Sequence, residues 1–171
     1  MAYEATGVET ILAGGRLVET RRVFEFEADF ASDLRCIPMA VRFKLDRCGV
    51  KLSLKQWSRI GAGQRFALAD RACDTANEAL AYRATLLGLI EGCDAGEAIL
   101  LPLEKAPAWA DTSQVPPRIG EMIAALGVKP ISVAVWTDLP VLWRFALLKL
   151  TRPGHDNDNF LPAMYEFGLC Q

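Results

Sequence analysis

The sequence predicts an all-α fold: two duplicated three-helix units plus a long connecting helix, with an extended N-terminal arm. Three observations predict it. Apolar residues recur at helical spacing between clear boundary residues, with Pro, Ser or Thr before them and Gly after. Strict apolar–charged alternation is confined to one stretch, RVFEFEADF at 22–30. One phrase is also written twice: WSRIGAGQRFAL at 57–68 and WTDLPVLWRFAL at 136–147 each set a tryptophan eight positions before Arg-Phe-Ala-Leu.

Taken in order, residues 1–21 have no sustained period and read as a flexible N-terminal tail, leaving 22–171 as a single helical domain. In 22–30, Phe24, Phe26, Ala28 and Phe30 alternate with charged residues, the mark of an extended, half-buried arm packed on helices. IPMAVRFKLDRCG (37–49) reads as a helix with Pro38 at its start and Gly49 as its stop. Met39, Phe43 and Cys48 face inward, with Val41 and Leu45 beside them. Ser53 caps a short helix through Trp57. Gly61 breaks it, and AGQRFALADRAC forms the next. Thr75 and Glu78 have capping-box spacing and open a long helix ended by Gly92, whose apolar residues are Leu80, Leu86, Leu87, Leu89 and Ile90. Residues 93–115 are rich in Pro, Gly and Asp and make the main connection, with an apolar run from Ile99 to Leu101 and Trp109. PPRIGEMIAALG (116–127) then repeats the earlier design with Ile119, Met122, Ile123 and Leu126. Ser132 caps a short turn through Trp136, Pro140 opens PVLWRFALLKL, and FLPAMYEFG closes the chain as a last short helix.

The duplication extends beyond the quoted phrase. Pro38 aligns with Pro116, and Gly49-Val50-Lys51 with Gly127-Val128-Lys129. One extra residue, Pro130, restores register, so that Ser53 meets Ser132 and Trp57 meets Trp136. Ten identities fall in roughly thirty positions with that single gap. The repeat spans 37–71 and 115–150, too sparse for a solenoid. Its shared residues suit packing: neither copy holds a nucleophile–base pair, and Arg65 and Arg144 suit bonds to helix-end carbonyls or stacking on tryptophan.

The bulk composition narrows function. The chain has 171 residues, 51% of them hydrophobic, which is too apolar for disorder. No apolar run approaches the roughly 18–20 residues of a membrane span, and MAYEATGVET lacks the basic-then-apolar order of a signal peptide. A cytoplasmic protein is expected. Five cysteines at wide spacing and one histidine argue against a zinc or iron–sulfur site and for reduced core thiols. Charge is uneven: residues 35–73 carry nine Lys/Arg against only Asp46 and Asp70, while the flanking segments are acidic. That asymmetry suits an acidic or phosphate-bearing partner. A helix-turn-helix reading fails because the second copy is too apolar to read bases and the pI is 5.5, so no nucleic acid is expected. RPGHDNDNF (152–160) gathers the only histidine with Asp156 and Asp158. It reads either as a capping turn before Phe160 or as the centre of a small metal-binding protein or enzyme. No phosphate loop, nucleophile elbow or His-Glu-x-x-His motif is present.

FEFEADF, RCIPMAVRFKLDRCGVKLSLKQW and LWRFALLKLTRPGHDNDNFLPAMYEFGL together resemble the bacterial nitrate reductase-associated protein family over residues 23–169. The resemblance marks Cys36, Pro38, Arg42, Lys44, Asp46, Lys51 and Trp57, then Arg144, Lys149, Arg152, Gly154, His155 and Asn159. Members are often encoded beside genes for assimilatory nitrate reductase and its molybdenum cofactor. The family commonly sets a glutamate after the histidine, where this chain has Asp156. The resemblance implies a non-enzymatic accessory protein that aids maturation or activity by binding nitrate reductase or, transiently, its molybdenum pterin cofactor. The basic segment supplies candidate contacts in Arg42, Lys44, Arg47, Lys51 and Lys55, and the late loop supplies Arg152, His155 and Asp156.

Overall fold

The computed structural model describes residues 23–94, 96–154 and 158–170, together with the backbone of Thr10–Ala13 (β1) and Arg16–Glu19 (β2). β1 and β2 form an antiparallel hairpin with Ile11 opposite Val18, where the sequence reading assigns no element. A 3-10 helix, Glu25–Phe30, comes next. The helices that follow are α1 (Met39–Cys48), α2 (Leu54–Arg59), α3 (Ala62–Asp70), α4 (Ala76–Gly92), α5 (Pro117–Ala125), α6 (Val133–Asp138), α7 (Val141–Leu150) and α8 (Phe160–Glu166). Two short strands, β3 (Val50–Lys51) and β4 (Ile99–Leu100), pair antiparallel. The described chain is mostly helical, as expected. No described helix is long and apolar enough to cross a membrane.

The caps behave as the residue types dictate. Pro38, Pro116 and Pro140 stand at the N-caps of α1, α5 and α7, where a missing N–H costs nothing. Ser53 Oγ accepts the Gln56 N–H, Thr75 Oγ1 the Glu78 N–H and Ser132 Oγ the Val135 N–H, each at 3.2 Å. After α1 and α5, Gly49 and Gly127 both take φ +66°, the left-handed turn that side chains resist.

Two expectations change. The arm expected at 22–30, of which Arg22 lies outside the described residues, is a 3-10 helix over Glu25–Phe30 and not an extended segment. A 3-10 helix has three residues per turn, so side chains at i and i+3 eclipse; here Phe24, Glu27 and Phe30 are the buried set. Alternation of phenylalanines hid this period because its middle member is a glutamate. The segment does pack on a helix: the Phe24 ring lies 5.3 Å from Phe167, which caps α8. In α4 the buried residues are Tyr82, Leu86 and Ile90, while Leu80 is 65% exposed. The buried stripe starts two residues later, at a tyrosine, and continues through Leu86 to Ile90.

The core divides into two clusters. One surrounds Trp57 with Leu34, Val41, Leu45, Leu68, Tyr82, Leu86 and Ile90. The other surrounds Trp136 with Met39, Phe43, Ile119, Ile123, Phe145, Phe160 and Met164. Both tryptophans are fully buried, and each indole N–H finds a backbone acceptor. Trp57 Nε1 donates to Leu34 O at 2.6 Å and Cys36 O at 3.0 Å, and Trp136 Nε1 donates to Asp111 O at 2.9 Å. Each large side chain so buried stabilises the fold by about 1.5–3 kcal/mol. α1 lies between the clusters, sending Val41 and Leu45 into one and Met39 and Phe43 into the other.

Candidate partner-binding face

The basic segment 35–73 does not present a uniform face. On α1, three cations turn onto nearby carbonyl groups. Arg42 Nε donates to Ile37 O at 3.1 Å. Lys44 Nζ donates to Ala69 O at 2.6 Å, at the C-terminal end of α3, and sits 5.9 Å from the Tyr82 ring centre. Arg47 Nε donates to Cys73 O at 2.7 Å, and its terminal nitrogen reaches Asp74 O. Lys44 thereby satisfies an orphan acceptor at the C-terminal end of α3 and complements that helix's dipole. Lys44 and Arg47 tie α1 to α3 and to the turn before α4.

Lys51 and Lys55 are different. Both are exposed, Lys51 on β3 opposite Ile99 and Lys55 in the first turn of α2. Arg152 is exposed just past α7. His155 and Asp156 lie outside the described residues. Of the candidate contacts, Lys51 and Lys55 are thus an exposed pair four positions apart in the sequence.

α7 meets α1 through an ion pair, Lys149 Nζ to Asp46 at 2.8 Å, and through the Phe43 and Phe145 rings, 5.2 Å apart. The Lys149 ammonium also lies 5.1 Å from the Phe145 ring centre. Arg144 is buried and donates to Trp109 O at 3.0 Å, Leu139 O at 2.9 Å and Thr137 O at 3.3 Å. Its guanidinium carbon stands 5.9 Å from the Trp136 ring centre. Both roles expected for this arginine, carbonyl donor and tryptophan partner, are filled at once.

Sequence reasoning missed a pair of carboxylates. Glu27 is 4% exposed; it accepts the Phe24 N–H at 3.1 Å and the Met39 N–H at 2.8 Å, joining the 3-10 helix to the start of α1. Burial pushes its carboxyl up to about 7, and Glu166 adds to the rise. The two backbone donors and Arg42 act the other way. Glu166, on α8, accepts the Glu25 N–H at 2.9 and 3.0 Å and the Phe26 N–H at 3.3 Å. The Phe24…Glu27 spacing is that of an N-cap and its N3 glutamate, but a phenylalanine at the cap concealed it.

Two shallow grooves open on the surface. Glu25, Phe26, Pro162, Tyr165 and Glu166 line one; Leu87, Ile90, Glu91, Asp94, Gly96, Glu97 and Ala98 line the other. Among the described residues neither lining includes a lysine or arginine. Among the described residues no cluster of three His, Cys, Asp or Glu could hold a metal ion. The five cysteines are unpaired, and burial raises Cys48 to about 11 and Cys73 above its ordinary value, which leaves both as poor nucleophiles.

The family model for the conserved nitrate reductase-associated protein matches residues 23–167. The chain belongs to that family. No curated protein and no solved structure matches it. The matched span begins at the 3-10 helix and ends at Phe167, the ring against which Phe24 and Trp143 pack, the latter stacked at 4.5 Å. In this nitrate reductase-associated protein the early and late signature stretches therefore meet in space, at the Glu25–Glu166 and Asp46–Lys149 contacts.

Proposed function

We propose that the protein is a non-enzymatic, cytoplasmic accessory factor that binds nitrate reductase and aids its maturation or activity. The observation that carries this reading is membership of the nitrate reductase-associated family over almost the whole described chain. The charge arrangement supports a protein partner over the molybdenum pterin cofactor. Lys44 and Arg47 are bound to backbone carbonyls, and both grooves carry carboxylates, which repel a phosphate. Lys51 and Lys55 stay exposed and suit an acidic protein surface, where such charges steer association.

The test is charge reversal. Lys51→Glu with Lys55→Glu is expected to weaken binding to purified nitrate reductase by about tenfold at low salt, with an unchanged melting temperature. Wild-type binding by the double variant removes the basic face. Failure of the unaltered protein to bind the reductase removes the accessory reading itself.

We also infer that 37–71 and 115–150 descend from one duplicated unit. The shared proline caps, the glycines at φ +66°, the serine caps and the buried tryptophans support it. A crystal structure in which the two segments fail to superpose would remove this inference.

A further inference from the structure

β4 leaves an apolar strand on the surface. Ile99, Leu100, Leu101 and Leu103 are 53%, 51%, 46% and 57% exposed. Successive strand residues point to opposite faces, so half exposure of both Ile99 and Leu100 means that neither face is fully covered. The strand is nevertheless fixed in place. The Leu101 N–H donates to Gly49 O at 2.9 Å, and Gln56 Nε2 donates to Glu97 O at 3.1 Å. Gly49 is part of the seat, because a Cβ there would lie 2.7 Å from Leu101 O. At the corresponding Gly127 a Cβ would meet nothing within 4 Å.

The register decides what the outer edge offers. In an antiparallel ladder, hydrogen-bonded pairs alternate with non-bonded ones. Leu101 bonds Gly49, so Leu100, opposite Val50, forms a non-bonded pair. The Leu100 N–H and C=O therefore point away from β3, toward an edge on which no described strand lies. Pro102 lacks the next outward N–H and ends the edge. The edge is short, as edges of folded proteins often are, and is closed by a proline, yet Ile99, Leu100, Leu101 and Leu103 all stay about half exposed beside it.

We propose that the outer edge of β4 docks a short extended segment of a partner protein, with aliphatic residues flanking an acidic one. The four half-exposed side chains present on the order of 400 Å², a patch size often functional on a monomer and about half of the ~800 Å² per partner that a standard interface buries. That area suits an added strand rather than a second copy of this chain. The acidic residue answers Lys51, directly opposite Ile99, and Lys55, next to the Gln56 that holds Glu97. Backbone bonds to Leu100 give register and the flanking aliphatic residues give affinity, as in other strand additions. Only the identity of the partner rests on the accessory reading above.

A photo-reactive benzophenone amino acid at Leu103, with a control at Leu80 on α4, tests this in cells that make active nitrate reductase. The expected product joins position 103 to a reductase subunit within an aliphatic–acidic stretch, and is absent from position 80. Leu100→Pro lowers its yield by about tenfold, as does Leu100→Lys, which keeps the backbone intact if the proline variant folds poorly. Cross-linking to a different protein at such a stretch, lost in both variants, supports the strand edge and removes the reductase reading. A product joining two copies of this chain, a product unaffected by either variant, or no product from position 103 overturns the proposal.

Discussion

Arg144 and Arg65 occupy the same place in the repeated phrase, with different surroundings. Arg144 serves three carbonyls, whereas Arg65 Nε has no hydrogen-bond partner among the described residues. Arg144→Met should cost about 2–4 kcal/mol, because its buried acceptors lose their donor. Arg65→Met should cost less than about 1 kcal/mol, since that nitrogen gives up no bond. Urea denaturation of the two variants checks the contrast. Glu27 supplies a pH signature. Its carboxyl rises from 4.5 to about 7 in the fold, so between those values the folded chain binds more protons than the unfolded one. Stability from this group is full below about pH 4.5 and falls as pH rises to 7, by on the order of 3 kcal/mol. The stability difference between the unaltered protein and Glu27→Gln should therefore shrink as pH rises through that window. A difference independent of pH would show that Glu27 stays charged in the fold.

At the scale of elements, glycine separates two helix ends that look alike. Gly49→Ala and Gly127→Ala both meet the roughly 1–2 kcal/mol cost of a left-handed side chain. Only the first also drives a methyl into Leu101 O. Gly49→Ala should be the more destabilising of the two by at least about 1 kcal/mol, and should speed hydrogen exchange at Leu101. The helices themselves were legible in the sequence, because Pro38, Ser53, Thr75, Pro116, Ser132 and Pro140 mark local backbone chemistry that needs no distant partner. The 3-10 helix was not, since its buried face depends on Glu27 finding Met39 twelve residues on. The β3–β4 ladder was not either: two-residue strands carry no period, and their pairing spans the whole of α4. The candidate contacts were half legible. Composition revealed the excess of Lys and Arg in 35–73, but only the fold shows that Lys44 and Arg47 are turned onto carbonyls while Lys51 and Lys55 are exposed.

For the whole molecule, α1 makes the two clusters one unit. Its Leu45 packs around Trp57 and its Phe43 around Trp136, so neither cluster is complete without the same helix. Phe43→Ala and Leu45→Ala should each cost about 2–5 kcal/mol. Both should lower a single transition that coincides when followed by circular dichroism and by tryptophan fluorescence. Separate transitions would make the clusters independent. The helix also sets an order of events on the ribosome. The buried members of the Trp57 cluster all lie within residues 34–90, so it can close early through contacts near in sequence. Met39 and Phe43 on the opposite side of α1 wait for Phe145, Phe160 and Met164. Until those residues emerge, the nascent chain carries a half-made core with an aromatic flank open to other chains. Synthesis stalled before α7 would leave that flank uncovered for a chaperone to shield.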